Sequence, residues 1–252
     1  MDFSNSAHRK VFFDVHNDLP REGPGDRLST EKAMSLVKPL PVSPAVLDIA
    51  CGPGMQTLHL AEQLPQAKLT CFDLHEPTVI EARNRVTAAG LSDRVQVDVC
   101  DMKNIPYPDS SFDLIWCEGA AYNMGVEQAL TQWKRLLRSG GKIALTEAVW
   151  LKPDPPEELR TFWSAYPGMN GIENRREIFK RCGYSMLHDF VLPENAWWDD
   201  YYTPMKARLD SLCEKYKGDL IAKPVLDYSY LEIDLYRRYS DYYGYVFLIA
   251  TI

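Results

Sequence analysis

Val46-Leu47-Asp48-Ile49-Ala50-Cys51-Gly52-Pro53-Gly54 is the stretch that decides the fold of this chain. Its apolar beginning is typical of a short buried strand, its end is a tight Gly-Pro-Gly turn, and a helical pattern opens directly after it at Met55. A strand, a glycine turn and a helix in this order form the unit with which a parallel α/β sheet holds a nucleoside-like cofactor. Glycine lets the backbone approach the ligand closely, and the helix N-terminus offers it free N–H groups. The stretch therefore predicts an α/β fold that binds such a cofactor at this turn.

The composition is that of an ordinary globular protein, and it narrows the choice of partners. Of the 252 residues, 46% are apolar and 25% are charged, and the formal net charge is −7. Nucleic acids and anionic membranes are bound by basic surfaces, so neither is an expected partner. No apolar run approaches the roughly 20 residues of a membrane span. The first residues also lack the pattern of a secretory signal, so we expect a cytoplasmic protein.

Cysteine and histidine show no pattern that would indicate a metal site. The six cysteines include no Cys-x-x-Cys pair, and the five histidines have no metal-ligand spacing. We therefore expect reduced thiols, most of them buried, and no metal.

Strand and helix patterns alternate along the chain from about residue 44. The predicted strands lie at 45–50, 68–73, 94–99, 112–117, 142–149, 184–192 and 245–252. Helical patterns lie at 77–89, 126–138 and 173–182. Such alternation is typical of parallel βαβ units with right-handed crossovers. The segment 194–243, between the last two strands, is rich in Trp and Tyr and too long for a plain connection, so it should contain helices.

Two classes of nucleoside cofactor compete for the glycine turn. A dinucleotide fold needs the pattern Gly-x-Gly-x-x-Gly, and counting from Gly52 its third glycine would stand where the chain has Thr57. The other pattern, acidic-x-Gly-x-Gly-x-Gly, appears as Asp48-x-Ala50-x-Gly52-x-Gly54, with alanine in place of the first glycine. A turn tolerates alanine there if its φ stays negative, so the second pattern is favoured.

At this turn the chain resembles the class I S-adenosylmethionine-dependent methyltransferases, in particular the UbiE-like branch that methylates small molecules. The resemblance covers residues 42–150 and extends in outline to the final strand. It implies a Rossmann-like, doubly wound sheet of seven mostly parallel strands with an antiparallel last strand, together with a helical lid insertion. It also implies S-adenosylmethionine as the cofactor and S-adenosylhomocysteine as the product.

Further residues match the family at the ends of the next strands. Asp73 matches the acid that accepts hydrogen bonds from the ribose hydroxyls, and Leu74 matches the apolar residue that packs against adenine. Asp101 matches the acid that receives the adenine amino group, and Met102 matches its neighbour beside the ring. The run 112–119 matches the fourth strand and the loop beneath the sulfur of the methyl donor.

Acidic residues at the strand ends add an argument from charge. The four acids are Asp48, Asp73, Asp101 and Glu118. Because the carboxyl ends of parallel strands meet at one edge of a sheet, one ligand could contact them all. Acids suit a sulfonium cation that carries an amine and two ribose hydroxyls, and they repel a pyrophosphate. The full set predicted to bind the cofactor is Asp48, Ala50, Cys51, Gly52, Gly54, Asp73, Leu74, Asp101, Met102 and Glu118.

The binding site for the methyl acceptor should be formed by the segments that the fold places at the carboxyl edge of the sheet. In this interpretation residues 1–43 form an N-terminal cap, and residues 44–252 form the methyltransferase domain. The turn at 19–26 and the aromatic insertion at about 194–243 then cover the site and exclude water from it. The residues predicted to contact the acceptor are Tyr122, Asn123, Tyr166, Trp197 and Tyr201.

Together these features predict a methyltransferase that uses S-adenosylmethionine and a small-molecule acceptor, as a monomer or a homodimer. Glu118 is the best-placed candidate for a general base, and His16 is the second. Two other interpretations stay open: an NAD-dependent oxidoreductase on a Rossmann fold, and a protein that binds S-adenosylmethionine or its product without catalysis. The sequence leaves open which atom accepts the methyl group and whether the insertion is a lid or a dimer surface.

Overall fold

A mixed sheet of eight strands crosses the computed structural model, which describes residues 5–166 and 168–252. The strands are β1 (Ala45–Ile49), β2 (Lys68–Asp73), β3 (Val95–Val99), β4 (Phe112–Glu118), β5 (Leu137–Trp150), β6 (Asn170–Gly171), β7 (Ser185–Val191) and β8 (Tyr243–Thr251). The first four residues of the predicted cap segment lie outside the described residues. Each of the seven predicted strands is present, and the short β6 is the addition.

The strand order is β3-β2-β1-β4-β5-β8-β7, with β6 beside the end of β5. Strands β1 to β5 are mutually parallel, while β8 is antiparallel to both of its neighbours, β5 and β7. The predicted doubly wound sheet with an antiparallel last strand is therefore confirmed. Since the chain returns from β3 at the edge to β4 beside β1, the carboxyl ends of β1 and β4 form the switch point at which α/β sheets bind ligands.

Ten helices are found among the described residues. They are α1 (Ser6–His16), α2 (Arg27–Val37), α3 (Met55–Gln63), α4 (Glu76–Ala88), α5 (Val126–Trp133), α6 (Glu157–Trp163), α7 (Ile172–Arg181), α8 (Asn195–Trp197), α9 (Thr203–Lys215) and α10 (Ala222–Tyr239). Two apolar cores result, one on each face of the sheet. Helices α2, α3 and α4 pack into one core, and α5 and α7 into the other. No helix in the described ranges is long and apolar enough to cross a bilayer.

The prediction of one helix over 126–138 is wrong in its second half. Helix α5 ends at Trp133, a single 3₁₀ turn follows, and β5 already begins at Leu137. Leu137 pairs with Phe112 on β4, and both side chains are buried. Arg135 holds the turn, because its guanidinium donates to the carbonyls of Ile105 and Tyr107 at 2.7 and 2.8 Å. Tertiary contacts thus override the helical pattern of this segment.

The predicted insertion between the last two long strands is helical. It contains α8, a π-helical turn at Trp198–Tyr202, α9 and α10. Its centre is aromatic: Trp197 stacks on Tyr236 with ring centroids 4.1 Å apart. Helix α1 of the N-terminal segment packs against α9 and α10, so both ends of the chain contribute to this layer.

Candidate active site

A cavity of about 660 Å³ opens at the carboxyl edge of β1, β2, β3 and β4. It brings together every residue predicted to bind the cofactor except Asp48 and Gly54. The predicted residues in its lining are Ala50, Cys51, Gly52, Asp73, Leu74, Asp101, Met102 and Glu118. Residues from four separate strand ends therefore converge on one space, as parallel strands require.

The turn after β1 has a backbone that the sequence did not predict. Ala50 has a φ of +56°. The turn was predicted to tolerate alanine at this position if its φ stays negative. That condition is wrong, because Ala50 lies in the left-handed region that favours glycine. Gly52 follows with a φ of +53°, and its N–H donates to Asp73 Oδ2 at 3.0 Å. The turn is thus tied to the end of β2, and its backbone faces the cavity.

Asp48 and Gly54 lie beneath the turn and do not line the cavity. The Thr57 hydroxyl donates to Asp48 Oδ2 at 2.5 Å, and burial raises the pKa of Asp48 to about 7. The residue that breaks the dinucleotide pattern is therefore the partner of the acid on β1. A Cβ on Gly54 would lie 3.1 Å from Ala82 Cβ, so glycine here lets α4 approach the start of α3.

Backbone N–H groups hold the two acids at the ends of β2 and β3. Asp73 Oδ1 accepts from the N–H of His75 at 3.0 Å, and Asp101 Oδ1 accepts from the N–H of Lys103 at 2.9 Å. Leu74, which follows Asp73, is 67% exposed although it is apolar. The mouth of the cavity therefore combines oriented carboxylates with an exposed apolar side chain.

Arg21 reaches into the cavity from the turn between α1 and α2 and forms an ion pair with Glu118. Only 4% of each side chain is exposed. The other oxygen of Glu118 accepts from Trp116 Nε1 at 2.7 Å. Arg21 Nε and Nη1 are buried and have no hydrogen-bond partner among the described residues. Sequence reasoning placed this turn over the edge of the sheet but gave Arg21 no role, because a single arginine between two helices carries no periodic pattern.

Glu22 is a second residue of this turn that sequence reasoning did not single out. It lines the cavity beside the glycine turn, and its Oε1 accepts from the Thr78 hydroxyl at 3.2 Å. Burial, together with the nearby charge of Asp73, raises the pKa of Glu22 to about 7. Two carboxyl groups therefore face the same part of the cavity, and one of them is protonated below neutral pH.

His16, at the end of α1, lines the cavity with a neutral imidazole. Its Nδ1 lies 2.8 Å from the carbonyl oxygen of Phe12, which can only accept, so the proton is on Nδ1 and Nε2 carries a lone pair. Burial lowers the pKa of His16 to about 4. Phe13 of the same helix stacks on His75 with ring centroids 3.8 Å apart. Helix α1 thus contacts the chain directly after β2.

The residues predicted to contact the acceptor lie in three different places. Tyr122 and Asn123 line the cavity, directly after β4. Tyr166 stands behind Tyr122, with ring centroids 4.7 Å apart, and its hydroxyl donates to Glu147. Trp197 and Tyr201 are buried in the aromatic layer of the insertion and do not line the cavity. In the described part of the chain, no group of three or more His, Cys, Asp or Glu side chains could hold a metal ion.

Comparison with known proteins agrees with this geometry. Residues 46–141 match the methyltransferase domain family. The chain is 31% identical over 150 residues to methyltransferase GfsG of Streptomyces halstedii, a match that covers 58% of this chain and 52% of GfsG. It is also 31% identical over 144 residues to the ubiquinone/menaquinone biosynthesis C-methyltransferase UbiE of Cereibacter sphaeroides, covering 57% of this chain and 56% of that enzyme. The chain thus spans about half the length of the curated relatives it matches.

Solved structures extend the likeness in fold to nearly the whole chain. A S-adenosylmethionine-dependent methyltransferase from Geobacter sulfurreducens, in complex with S-adenosylhomocysteine, has a TM-score of 0.82 at 21% identity, covering 96% of this chain and 97% of that one. The [4+2]-cyclase SpnF has a TM-score of 0.74 at 20% identity, covering 97% and 92%. Two different chemistries are therefore found on closely similar folds, so the reaction has to be argued from the site.

Proposed function

Residues 46–141 match the methyltransferase domain family, and from this premise we propose that the chain transfers a methyl group from S-adenosylmethionine to a small molecule. The observation that carries the proposal is the convergence of the glycine turn, Asp73, Asp101 and Glu118 on one cavity. This arrangement offers acceptors for an amine and hydroxyls. The side chains beside the glycine turn are the carboxyl groups of Glu22 and Asp73, which disfavour a pyrophosphate there.

The cavity fits the amino-acid part of the cofactor. Arg21 has two buried nitrogens, Nε and Nη1, without a partner among the described residues, beside the carboxylate of Glu118. A buried donor without a partner costs free energy, so a ligand carboxylate at this place would satisfy the guanidinium. We assign the methionine carboxylate to Arg21 and the methionine amino group to Glu118.

The nucleoside part would lie toward β2 and β3. Asp73 would accept from the ribose hydroxyls, since its carboxylate is already oriented by the N–H groups of Gly52 and His75. Asp101 would accept from the adenine amino group, and Leu74 and Met102 would pack against the ring. Glu22 faces Asp73 across the ribose position and is a further candidate for a hydroxyl contact.

Proton transfer is better assigned to His16 than to Glu118. Both oxygens of Glu118 already accept hydrogen bonds, from Arg21 and from Trp116. The Nδ1–H of His16 donates to Phe12, which leaves the lone pair on Nε2 to accept a proton. The imidazole is neutral at physiological pH, because burial lowers its pKa to about 4. When the acceptor atom carries a proton, His16 Nε2 is the group that would receive it.

The bound cofactor supplies a sulfonium methyl group, which is activated for in-line displacement. The protein then has to position the acceptor and exclude water. We propose that α1, the turn at 19–26 and the helical insertion do so as a cap and lid over the carboxyl edge. Tyr122 and Asn123 would contact the acceptor, whereas Trp197 and Tyr201 would support the lid from within it.

Measurements of ligand binding and of turnover distinguish two alternatives from this proposal. An NAD-dependent oxidoreductase would bind NADH, which the acids of the cavity disfavour. A protein that binds S-adenosylmethionine without methyl transfer, as the fold shared with a cyclase allows, would bind the product and lack turnover. We further propose that the protein acts as a monomer or homodimer in the cytoplasm and does not bind nucleic acid.

The deciding experiment is calorimetric titration of the purified protein with S-adenosylhomocysteine and, separately, with NADH. Binding of the first and none of the second supports the proposal, and absence of S-adenosylhomocysteine binding contradicts it. A screen of metabolite pools with radiolabelled methyl donor then tests turnover. Incorporation of label identifies the acceptor, and its absence across the pools favours the non-catalytic alternative.

A further inference from the structure

A second cavity of about 600 Å³ lies behind the candidate active site, between α5 and α7. Tyr122 lines both cavities, so the two adjoin at this side chain. Tyr122 is 44% exposed, and Tyr166 packs beside it on the wall of the second cavity. A molecule in the second cavity would therefore lie next to the place where the methyl acceptor has to be.

Arg175 of α7 provides a buried positive charge in the lining of this cavity. Only 2% of the residue is exposed. Its Nη2 donates to the carbonyl oxygen of Gly168 at 2.6 Å, while its Nε is buried and has no partner among the described residues. A guanidinium presents its N–H groups as a planar fork that matches a carboxylate or a phosphate. The unused Nε–H is one arm of such a fork.

The N-terminus of α5 lies in the same lining and is independent of Arg175 in sequence. Gly125, Val126, Glu127 and Gln128 all line the cavity. No side chain caps this terminus. The first N–H groups of a helix have no partner within the helix, and the helix dipole makes this end positive. The cavity therefore has two separate features that attract an anion, one on each wall.

Two carboxylates lie close to these features, and each has a partner of its own. Glu127 forms an ion pair with Arg181, with Nη2 and Oε2 3.0 Å apart. Glu147 Oε2 lies 3.8 Å from Arg175 Nη2 and accepts from the Tyr166 hydroxyl. Burial raises the pKa of Glu147 to about 7, so it carries only part of its charge near neutral pH. Arg175 is thus left with positive charge to offer.

We propose that this second cavity binds an anionic group, a carboxylate or a phosphate, on Arg175 and the N-terminus of α5, and that this group belongs to the methyl acceptor. The proposal rests on the proposed function, because it takes the acceptor to be methylated in the neighbouring cavity. The anion anchors the acceptor behind Tyr122, and the reacting atom extends past that ring toward Gly119 and His16. Acceptors without an anionic group leave Arg175 Nε unsatisfied and bind more weakly.

The test is an NMR titration of ¹⁵N-labelled full-length protein with inorganic phosphate and, separately, with acetate. The amide signals of Val126, Glu127 and Gln128 report on the cavity. Arg175→Lys keeps the charge but removes the fork, and Arg176→Gln is the matched control because the next residue of α7 pairs with Asp189 on the surface. Asn174→Asp, a change of one half-buried lining residue, adds a repelling charge and does not depend on how the protein tolerates loss of Arg175.

We expect saturable shifts of these amides in wild type and in Arg176→Gln. The dissociation constant should rise by about ten-fold in Arg175→Lys and in Asn174→Asp. The anion that binds more tightly identifies the group. Equal affinity in all four proteins, or no shift at tens of millimolar anion, overturns the inference. Parallel titration with S-adenosylhomocysteine separates the two proposals: cofactor binding without an anion response refutes only this inference, and the converse counts against the proposed function.

Discussion

The Arg21 guanidinium and the Glu118 carboxylate form an ion pair that is 96% shielded from solvent on both sides, although the residues stand 97 positions apart. The pair joins the turn between α1 and α2 to the end of β4. Because it lies in the wall of the main cavity, the contact that attaches the N-terminal segment is also part of the candidate cofactor site. Folding of this segment and binding of the cofactor should therefore depend on one another.

Arg21→Ala should lower the free energy of unfolding by about 3–5 kcal/mol, because it leaves the Glu118 carboxylate buried without its partner. Denaturant unfolding measures the change. Arg27→Ala is the control: Arg27 pairs with Glu31 and Glu62 at the surface and is 54% exposed, so its removal should cost less than about 1 kcal/mol. Equal effects of the two substitutions would contradict the buried pair.

Asp73→Asn should weaken binding of S-adenosylhomocysteine by about 10–100-fold, since it removes the charged acceptor for the ribose hydroxyls. Calorimetry gives the affinity directly. Asp98→Asn on the neighbouring β3 is the control, because Asp98 accepts from Gln96 and Tyr107 and does not line the cavity. An unchanged affinity in Asp73→Asn would refute the ribose contact.

Ala50→Gly should raise the free energy of unfolding by about 0.5–1 kcal/mol. Glycine removes the strain of a left-handed φ of +56°. This gain in free energy exceeds the extra cost of ordering glycine, which has more conformational freedom in the unfolded chain. Ala207→Gly in α9 is an exposed helical control and should act in the opposite direction, costing about 1 kcal/mol. Thermal and denaturant unfolding of both variants test the difference in sign.

In the unliganded protein, Glu22→Gln should raise the free energy of unfolding at alkaline pH. Burial and Asp73 raise the pKa of Glu22 from 4.5 to about 7. The folded protein favours the protonated carboxyl of Glu22. The resulting contribution to the free energy of unfolding is fully present below pH 4.5 and is lost as the pH rises to 7. The variant lacks this loss, so its advantage over wild type should widen between pH 4.5 and 7 and then level off at about 1–3 kcal/mol. A pH-independent difference in denaturant unfolding would contradict the raised pKa.

His16→Phe should remove an acid-induced loss of stability. Burial lowers the pKa of His16 from 6.5 to about 4, so the unfolded chain gains a proton in this range that the folded protein does not. Wild type should lose about 3 kcal/mol as the pH falls from 6.5 to 4. The variant keeps a ring against Phe12 but cannot titrate, so its profile should be flatter. His188→Asn, at an exposed position of β7, is the control and should follow wild type.

The sheet could be predicted closely from the sequence, whereas the ends of some elements could not. Alternating apolar runs and glycine stops located seven strands to within a few residues, because these patterns are local. The start of β5 at Leu137 was missed, since pairing with Phe112 decides it. The negative φ assumed for Ala50 was wrong for a similar reason: the closed turn against Asp73 imposes the backbone conformation there.

The sequence by itself determined the fold and the acids at the strand ends. Both follow from hydrophobic periodicity and from where parallel strands terminate. Only the tertiary structure decided that Arg21 meets Glu118 and that Arg175 lines the same cavity as the start of α5. Such contacts join distant residues that carry no spacing pattern, and their consequences depend on burial, which strengthens a charge interaction and makes an unpaired donor costly. The cofactor could therefore be proposed from the sequence, whereas the anion expected on the acceptor could be inferred only once α5 and α7 were in place.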